Sequence, residues 1–228
     1  MSITDATPNS LAYGVRTCDG IILFDCGVGR DEAAIALRLA ALGSPVTDIF
    51  LTHAHADHAG GAAAIRRLTG ARLHAGAATA QIVASADERA MSLDAARRAG
   101  IYPATYRFSP CPVDQTLADG SAIRIGGVTV TCLATPGHCA DHVSYLVEFQ
   151  GFRALISGDA LFAGGRVVLQ DIWDCSVPDT CATIRKLAGY SFDSLLPGHG
   201  DFLMTDARRL VDVALDRIER LLVPELFL

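Results

Sequence analysis

Thr52-His53-Ala54-His55-Ala56-Asp57-His58-Ala59-Gly60-Gly61 places three imidazoles and a carboxylate within the six residues His53 to His58. Packing alone does not call for polar side chains at that density. Metal coordination does, because neutral imidazole and carboxylate are the usual ligands of zinc and iron. The residues ahead of the cluster, Asp48-Ile-Phe-Leu-Thr52, read as a short buried strand that delivers it at its C-terminal end.

The surrounding chain alternates strand and helix. Ile21–Phe24 is an apolar strand closed by Asp25-Cys26-Gly27, and Arg30 to Leu42 has helical spacing and stops at Gly43. The pattern predicts a helix over His58–Leu68, ended by Gly70, and a strand at Ala71–His74. Residues from Ala77 to Gly100 are alanine-rich and helical in pattern. Ile101 to Pro112 carries Tyr102, Tyr106 and several prolines, so 77–112 reads as a cap or loop insertion. Strands are expected at 122–125, 128–134, 143–149, 152–157 and 194–196, with helices near 179–189 and 205–222. These elements imply an α/β fold, two sheets between helical layers, in one domain spanning residues 1–228.

Three more ligand types sit just after strands, each beside glycine. They are His138 in Thr135-Pro-Gly-His-Cys-Ala-Asp-His142, Asp159 in Ser157-Gly-Asp-Ala160, and His199 in Leu196-Pro-Gly-His-Gly200. With the first cluster they make five histidines and two aspartates. One zinc takes about four ligands. Seven suit two metals about 3.5–4 Å apart that share a carboxylate and a hydroxide. Asp159, arriving from a separate strand, suits the bridging role better than Asp57.

His-x-His-x-Asp-His, then Pro-Gly-His, Gly-Asp and Pro-Gly-His, in that order, resembles the metallo-β-lactamase superfamily over most of the chain, from Asp25 to His199. The resemblance implies an αββα sandwich of two mixed β-sheets flanked by helices, with the metal site at one edge. It assigns His53, His55 and His138 to one metal and Asp57, His58 and His199 to the other, with Asp159 between them. It also matches Asp25 to an aspartate that orients the ligands from behind. Two Zn²⁺ are the expected ions, although iron and manganese suit the same donors.

Composition narrows the partners. The net charge is −6, and Lys186 is the sole lysine among the cations. Nothing suggests a basic face for nucleic acid. No apolar run approaches the length of a membrane span, and Met1–Pro8 has no leader-like pattern. The cysteines are odd in number, Cys18, Cys26, Cys111, Cys132, Cys139, Cys175 and Cys181, and none forms a C-x-x-C pair. That reads as a reduced, cytoplasmic chain. The partner expected is a small molecule, with homo-oligomerisation left open. The apolar tail Leu221–Leu228 is read as core or as a subunit contact.

The expected activity is hydrolysis by a bridging hydroxide of an ester-like carbonyl in a lactone, thioester or related ester. Asp57 is placed to help move a proton, and Asp159 to bridge. Asp159 itself points toward glyoxalase II and lactonase relatives, since β-lactamases of this superfamily carry Cys or Ser there. The alternatives are a mononuclear iron persulfide dioxygenase using His53, His138 and Asp159, a β-lactamase, or a non-catalytic binding protein. His142 is expected to line the site or support a ligand, and Tyr102 and Tyr106 to line a substrate pocket. His74 matches no motif and is read as structural. Cys139, next to His138, is read as packing.

Overall fold

The computed structural model describes residues 10–227. The leader reading of Met1–Pro8 and the last residue of the apolar tail lie outside them. The chain divides into two compact units, the first ending at Leu117 and the second beginning at Ala118. The segment 77–112 belongs to the first unit.

The first unit contains, in chain order, β1 (Tyr13–Arg16), β2 (Ile21–Phe24), α1 (Glu32–Ala41), β3 (Val46–Leu51), α2 (Ala56–Ala59), α3 (Ala62–Thr69), β4 (Arg72–Gly76), α4 (Ala77–Ser85), α5 (Leu93–Arg98) and β5 (Gln115–Leu117). Its five strands form one sheet in sequence order. β1 pairs antiparallel to β2, and every later pair is parallel. Asp31 starts α1 by accepting a hydrogen bond from the Ala34 amide at 3.0 Å. Gly70, at φ +71°, ends α3. Ile21, Leu23, Ile49, Leu51 and Leu73 form one buried cluster with Ile35, Ile65 and Val83 of the helices. On the opposite strand face, Phe24, Phe50 and His74 are also buried, and Phe50 stacks on both Phe24 and His74.

The second unit contains β6 (Ala122–Ile125), β7 (Val128–Ala134), β8 (Val143–Phe149), β9 (Phe152–Gly158), a 3-10 turn at Ala163–Gly165, α6 (Val177–Leu187), β10 (Ser194–Pro197) and α7 (Arg209–Glu219). The sheet order is β10-β9-β8-β7-β6, antiparallel except for the β9/β10 pair. Leu133, Leu155 and Leu195 cluster with Ile184 and Leu187 of α6 and with Val211 and Ile218 of α7. Two mixed sheets, each carrying helices, are what the αββα class requires.

Two differences from the sequence reading have physical causes. The helix expected over 58–68 forms as α2 and α3. The Gly61 amide, which a continuous helix would give to the Asp57 carbonyl, donates instead to Gly27 O at 2.8 Å. Ser10 Oγ donates to that Asp57 carbonyl in its place. The tail is also more exposed than a core reading allows: Leu221 is 96 % and Leu222 51 % exposed. Pro224 is buried, and Phe227 stacks on Phe162 at 4.5 Å.

Candidate metal centre

β2 and β3 run parallel, and Phe24 stands opposite Phe50 in the register. Their C-terminal ends therefore share one edge of the sheet, which brings Asp25 level with the start of the histidine cluster. Asp25 Oδ1 accepts from the Thr52 amide, and Oδ2 accepts from Thr52 Oγ1, each at 2.8 Å. Oδ2 also lies 2.8 Å from His58 Nδ1, and Thr52 Oγ1 lies 2.9 Å from His53 Nδ1. A carboxylate only accepts, so the Thr52 hydroxyl spends its proton on Asp25 and must take one from His53. One buried carboxylate thus fixes two tautomers. His53 and His58 both carry hydrogen on Nδ1 and turn Nε2 outward as a lone-pair donor. Asp25 adopts φ +59°, an uncommon backbone that an aspartate tolerates better than most residues.

The loop after Asp25 is stapled to the cluster. Cys26 N donates to His58 O at 2.6 Å. A Cβ on Gly61 would stand 2.2 Å from Cys26 O, and one on Gly60 would stand 2.4 Å from Val28 O, so only glycine allows this approach. The rings of His53 and His55 meet edge-on at 4.6 Å, and those of His53 and His58 lie 4.2 Å apart. His58 Nε2 and Asp57 Oδ2 are 3.5 Å apart.

In the second unit β7, β9 and β10 point the same way, so the loops carrying His138, Asp159 and His199 leave from a common edge. Gly137, at φ +140°, lies against the start of α6, where a Cβ would be 2.6 Å from Thr180 N. Asp159 Oδ2 lies 3.5 Å from His138 Nε2 and 3.4 Å from His199 Nε2. His142 sits behind Asp159. Its Nε2 accepts from the Asp159 amide at 2.9 Å, so Nδ1 carries the hydrogen and donates to Thr135 Oγ1 at 2.9 Å. Thr135 passes its own proton to Ser144 Oγ at 2.9 Å, and Ser144 donates to Ser157 O at 3.1 Å. This buried relay locks a neutral imidazole under the backbone of Asp159.

The donor spacing in each unit fits a metal site. Two ligands on one tetrahedral zinc, at bond lengths of about 2.1 Å, stand about 3.4 Å apart. Hydrogen-bonded nitrogen and oxygen would approach to about 2.7–3.2 Å. The Asp57–His58, His138–Asp159 and His199–Asp159 separations of 3.4–3.5 Å match the first spacing, not the second.

Other expected residues find their places. His74 is buried, with Nε2 2.8 Å from Asp48 Oδ1, which Arg72 also reaches at 3.0 Å. Tyr102 and Tyr106 stack at 5.1 Å. The Tyr102 phenol lies in the field of the Asp57 carboxylate, and Tyr106 donates to Val28 O at 2.9 Å. Burial first, and the negative charge of Asp57 second, hold the Tyr102 phenol well above its ordinary range. Cys139 is buried, and burial pushes its thiol up. Sequence reading gave no role to Thr52 or Thr135. The signal was available, since each follows a strand just ahead of a ligand motif, where a hydroxyl can meet an imidazole of that motif, His53 for Thr52 and His142 for Thr135.

The metallo-beta-lactamase superfamily model matches residues 7–222, and the chain belongs to that superfamily. It is 34 % identical to a hydroxyacylglutathione hydrolase of a Methylobacterium species over 198 residues, covering 83 % of this chain and 64 % of the relative. It is 26 % identical to the thioesterase pkgB of Emericella nidulans over 210 residues, 91 % of this chain and 51 % of that protein. The chain thus spans about half to two thirds of the length of these curated relatives. Among solved structures, a metallo-beta-lactamase of Cronobacter sakazakii superposes with a TM-score of 0.68 at 26 % identity, covering 93 % of this chain and 76 % of that one. The subclass B3 metallo-beta-lactamase BJP-1 of Bradyrhizobium japonicum superposes with a TM-score of 0.66 at 27 % identity, over 83 % and 71 % of the two chains. No helix among the described residues is long and apolar enough to cross a membrane.

Proposed function

We propose that the chain is a dinuclear metal hydrolase acting on an ester-like carbonyl, and that a thioester is the substrate it meets. His53, His55 and His138 would hold one ion, Asp57, His58 and His199 the other, and Asp159 both. The observation that carries this reading is the position of Asp159 Oδ2, within 3.5 Å of the Nε2 atoms of both His138 and His199. A carboxylate oxygen set between two imidazole donors at ligand spacing is suited to serve two ions. Superfamily membership supports the same assignment. The thioester follows from the names of the relatives, a thioesterase and a hydroxyacylglutathione hydrolase.

Bound there, two Zn²⁺ would supply hydroxide at neutral pH and a Lewis acid for the carbonyl oxygen. The protein does the rest. Asp25, directly at His58 and through Thr52 at His53, keeps the Nε2 lone pairs of both directed outward. His142 holds the backbone of Asp159 in place. Asp57, half-buried and close to Tyr102, would take up a proton as the carbonyl is attacked.

The test is metal counting with turnover. Natively purified protein should hold close to two ions per chain and hydrolyse a chromogenic thioester until a chelator is added. One ferrous iron with oxygen uptake on a persulfide would replace this reading with the dioxygenase. Lack of chelator-sensitive activity on any carbonyl substrate would leave a binding protein.

A further inference from the structure

Arg30 is exposed, yet it is held in place. Its guanidinium carbon lies 5.6 Å from the ring centre of Tyr102 and 5.5 Å from that of Tyr106, so it rests on the stacked pair. Tyr102 is buried near the Asp57 carboxylate, and Tyr106 is half-buried and anchored at its hydroxyl on Val28 O. The backbone under Arg30 is fixed too. Gly29, at φ +76°, lies so close to the Gly60–Gly61 backbone that a Cβ there would be 2.5 Å from Gly60 O. The segment bearing the tyrosines is tied down by Arg97, which holds Glu88 through two 2.8 Å hydrogen bonds and also donates to Tyr106 O.

Several arginines of this unit pair with acids: Arg66 with Asp114, Arg67 with Glu32, Arg72 with Asp48 and Arg98 with Asp94. Arg30 makes no ion pair or hydrogen bond among the described residues; its contacts are the two ring faces. With no hydrogen bond among the described residues, its N–H groups remain available, and they are the groups that read a planar oxyanion two-pronged. Asp57 cannot serve as that anion if it is committed to a metal. A pinned, unneutralised guanidinium one tyrosine ring away from a metal ligand is the arrangement of a substrate anchor.

We propose that Arg30, presented by Tyr102 and Tyr106, binds an oxyanion on the substrate, so that the thioester hydrolysed here carries a carboxylate or phosphate on its acyl or its thiol side. This inference rests on the hydrolase reading and adds the class of its substrate. The two anion sources separate by which side of the thioester bears the charge.

The experiment uses two matched pairs: the N-acetylcysteamine mono-thioester of adipic acid against its methyl ester, and S-acetyl phosphopantetheine against S-acetyl pantetheine. Wild-type protein should prefer the charged member of at least one pair. Arg30→Gln should shrink that preference by about 10- to 100-fold, mainly through KM, the scale of one charge-assisted hydrogen-bonding pair. Arg30→Lys, which keeps the charge and loses the fork, should recover only part of it. Equal turnover within both pairs, or a preference that survives Arg30→Gln, overturns the proposal. Calorimetric titration of adipate and of phosphopantetheine against wild type and Arg30→Gln gives a reading independent of turnover. Weaker binding to the variant without hydrolysis of any probe would sink the hydrolase reading and keep the anchor. Equal binding to both proteins would sink the anchor.

Discussion

Asp25 and His58 stand 33 residues apart in the chain and are joined by a buried 2.8 Å contact between Oδ2 and Nδ1. The same carboxylate reaches His53 through Thr52. A single side chain outside the ligand motif therefore sets the direction of two ligand lone pairs.

Asp25→Ala should lower metal affinity by about 10- to 100-fold, the usual effect of removing a group that orients a ligand. Competition with a chromogenic chelator measures it. Metal binding equal to wild type would show that the imidazoles hold their direction unaided.

Asp159→Ala should bring metal content down toward one ion per chain. The rate should fall by about 10³-fold, the scale of losing one group that stabilises developing charge. Elemental analysis and single-substrate kinetics on the same preparation check both. Two ions with near-normal turnover would refute the bridging role.

His74→Ala serves as the control. It removes the 2.8 Å partner of the fully buried Asp48 and leaves Arg72 as the remaining cation on that carboxylate. Stability should drop by about 2–3 kcal/mol in a denaturant titration, below the full cost of orphaning a buried charge because Arg72 stays. Metal content should not change.

Gly61→Ala inserts a methyl group 2.2 Å from Cys26 O, a backbone atom that cannot swing aside. The Asp25 loop must move off the histidine cluster. Loss of about 1–3 kcal/mol, the range for forced overpacking, should come with weaker metal binding. An unaltered melting curve would mean that the loop yields freely.

Cys26 and Cys139 are buried, and burial raises both thiols well above the ordinary cysteine range, which leaves little thiolate at neutral pH. Iodoacetamide should label exposed Cys18 quickly and spare Cys26 and Cys139 until the protein is unfolded. Mass spectrometry of a labelling time course reads the order. Early labelling of Cys139 would point to an open path beside His138.

The sequence by itself pointed to the superfamily and to candidate metal ligands. Dense, strand-terminal histidines and aspartates beside glycines suit metal binding, because few other uses tolerate such clustering. It also marked β6, β7 and β8 to the residue, since alternating or continuous apolar runs between turns leave little freedom. It did not reveal β1 and β5, edge strands of four and three residues with too little apolar pattern to stand out. It predicted one helix where Gly60 and Gly61 split the segment in two, because the amide that breaks the helix finds its acceptor, Gly27, 34 positions away. Tertiary structure alone decided which polar residues would meet. Parallel register set Asp25 beside Thr52, a four-member relay gave His142 its task under Asp159, and a stacked tyrosine pair gave Arg30 its seat, with no ion pair among the described residues. Ligand identity is a property of local composition, whereas orientation, tautomer and charge pairing depend on partners that only folding brings within three ångströms or so of one another.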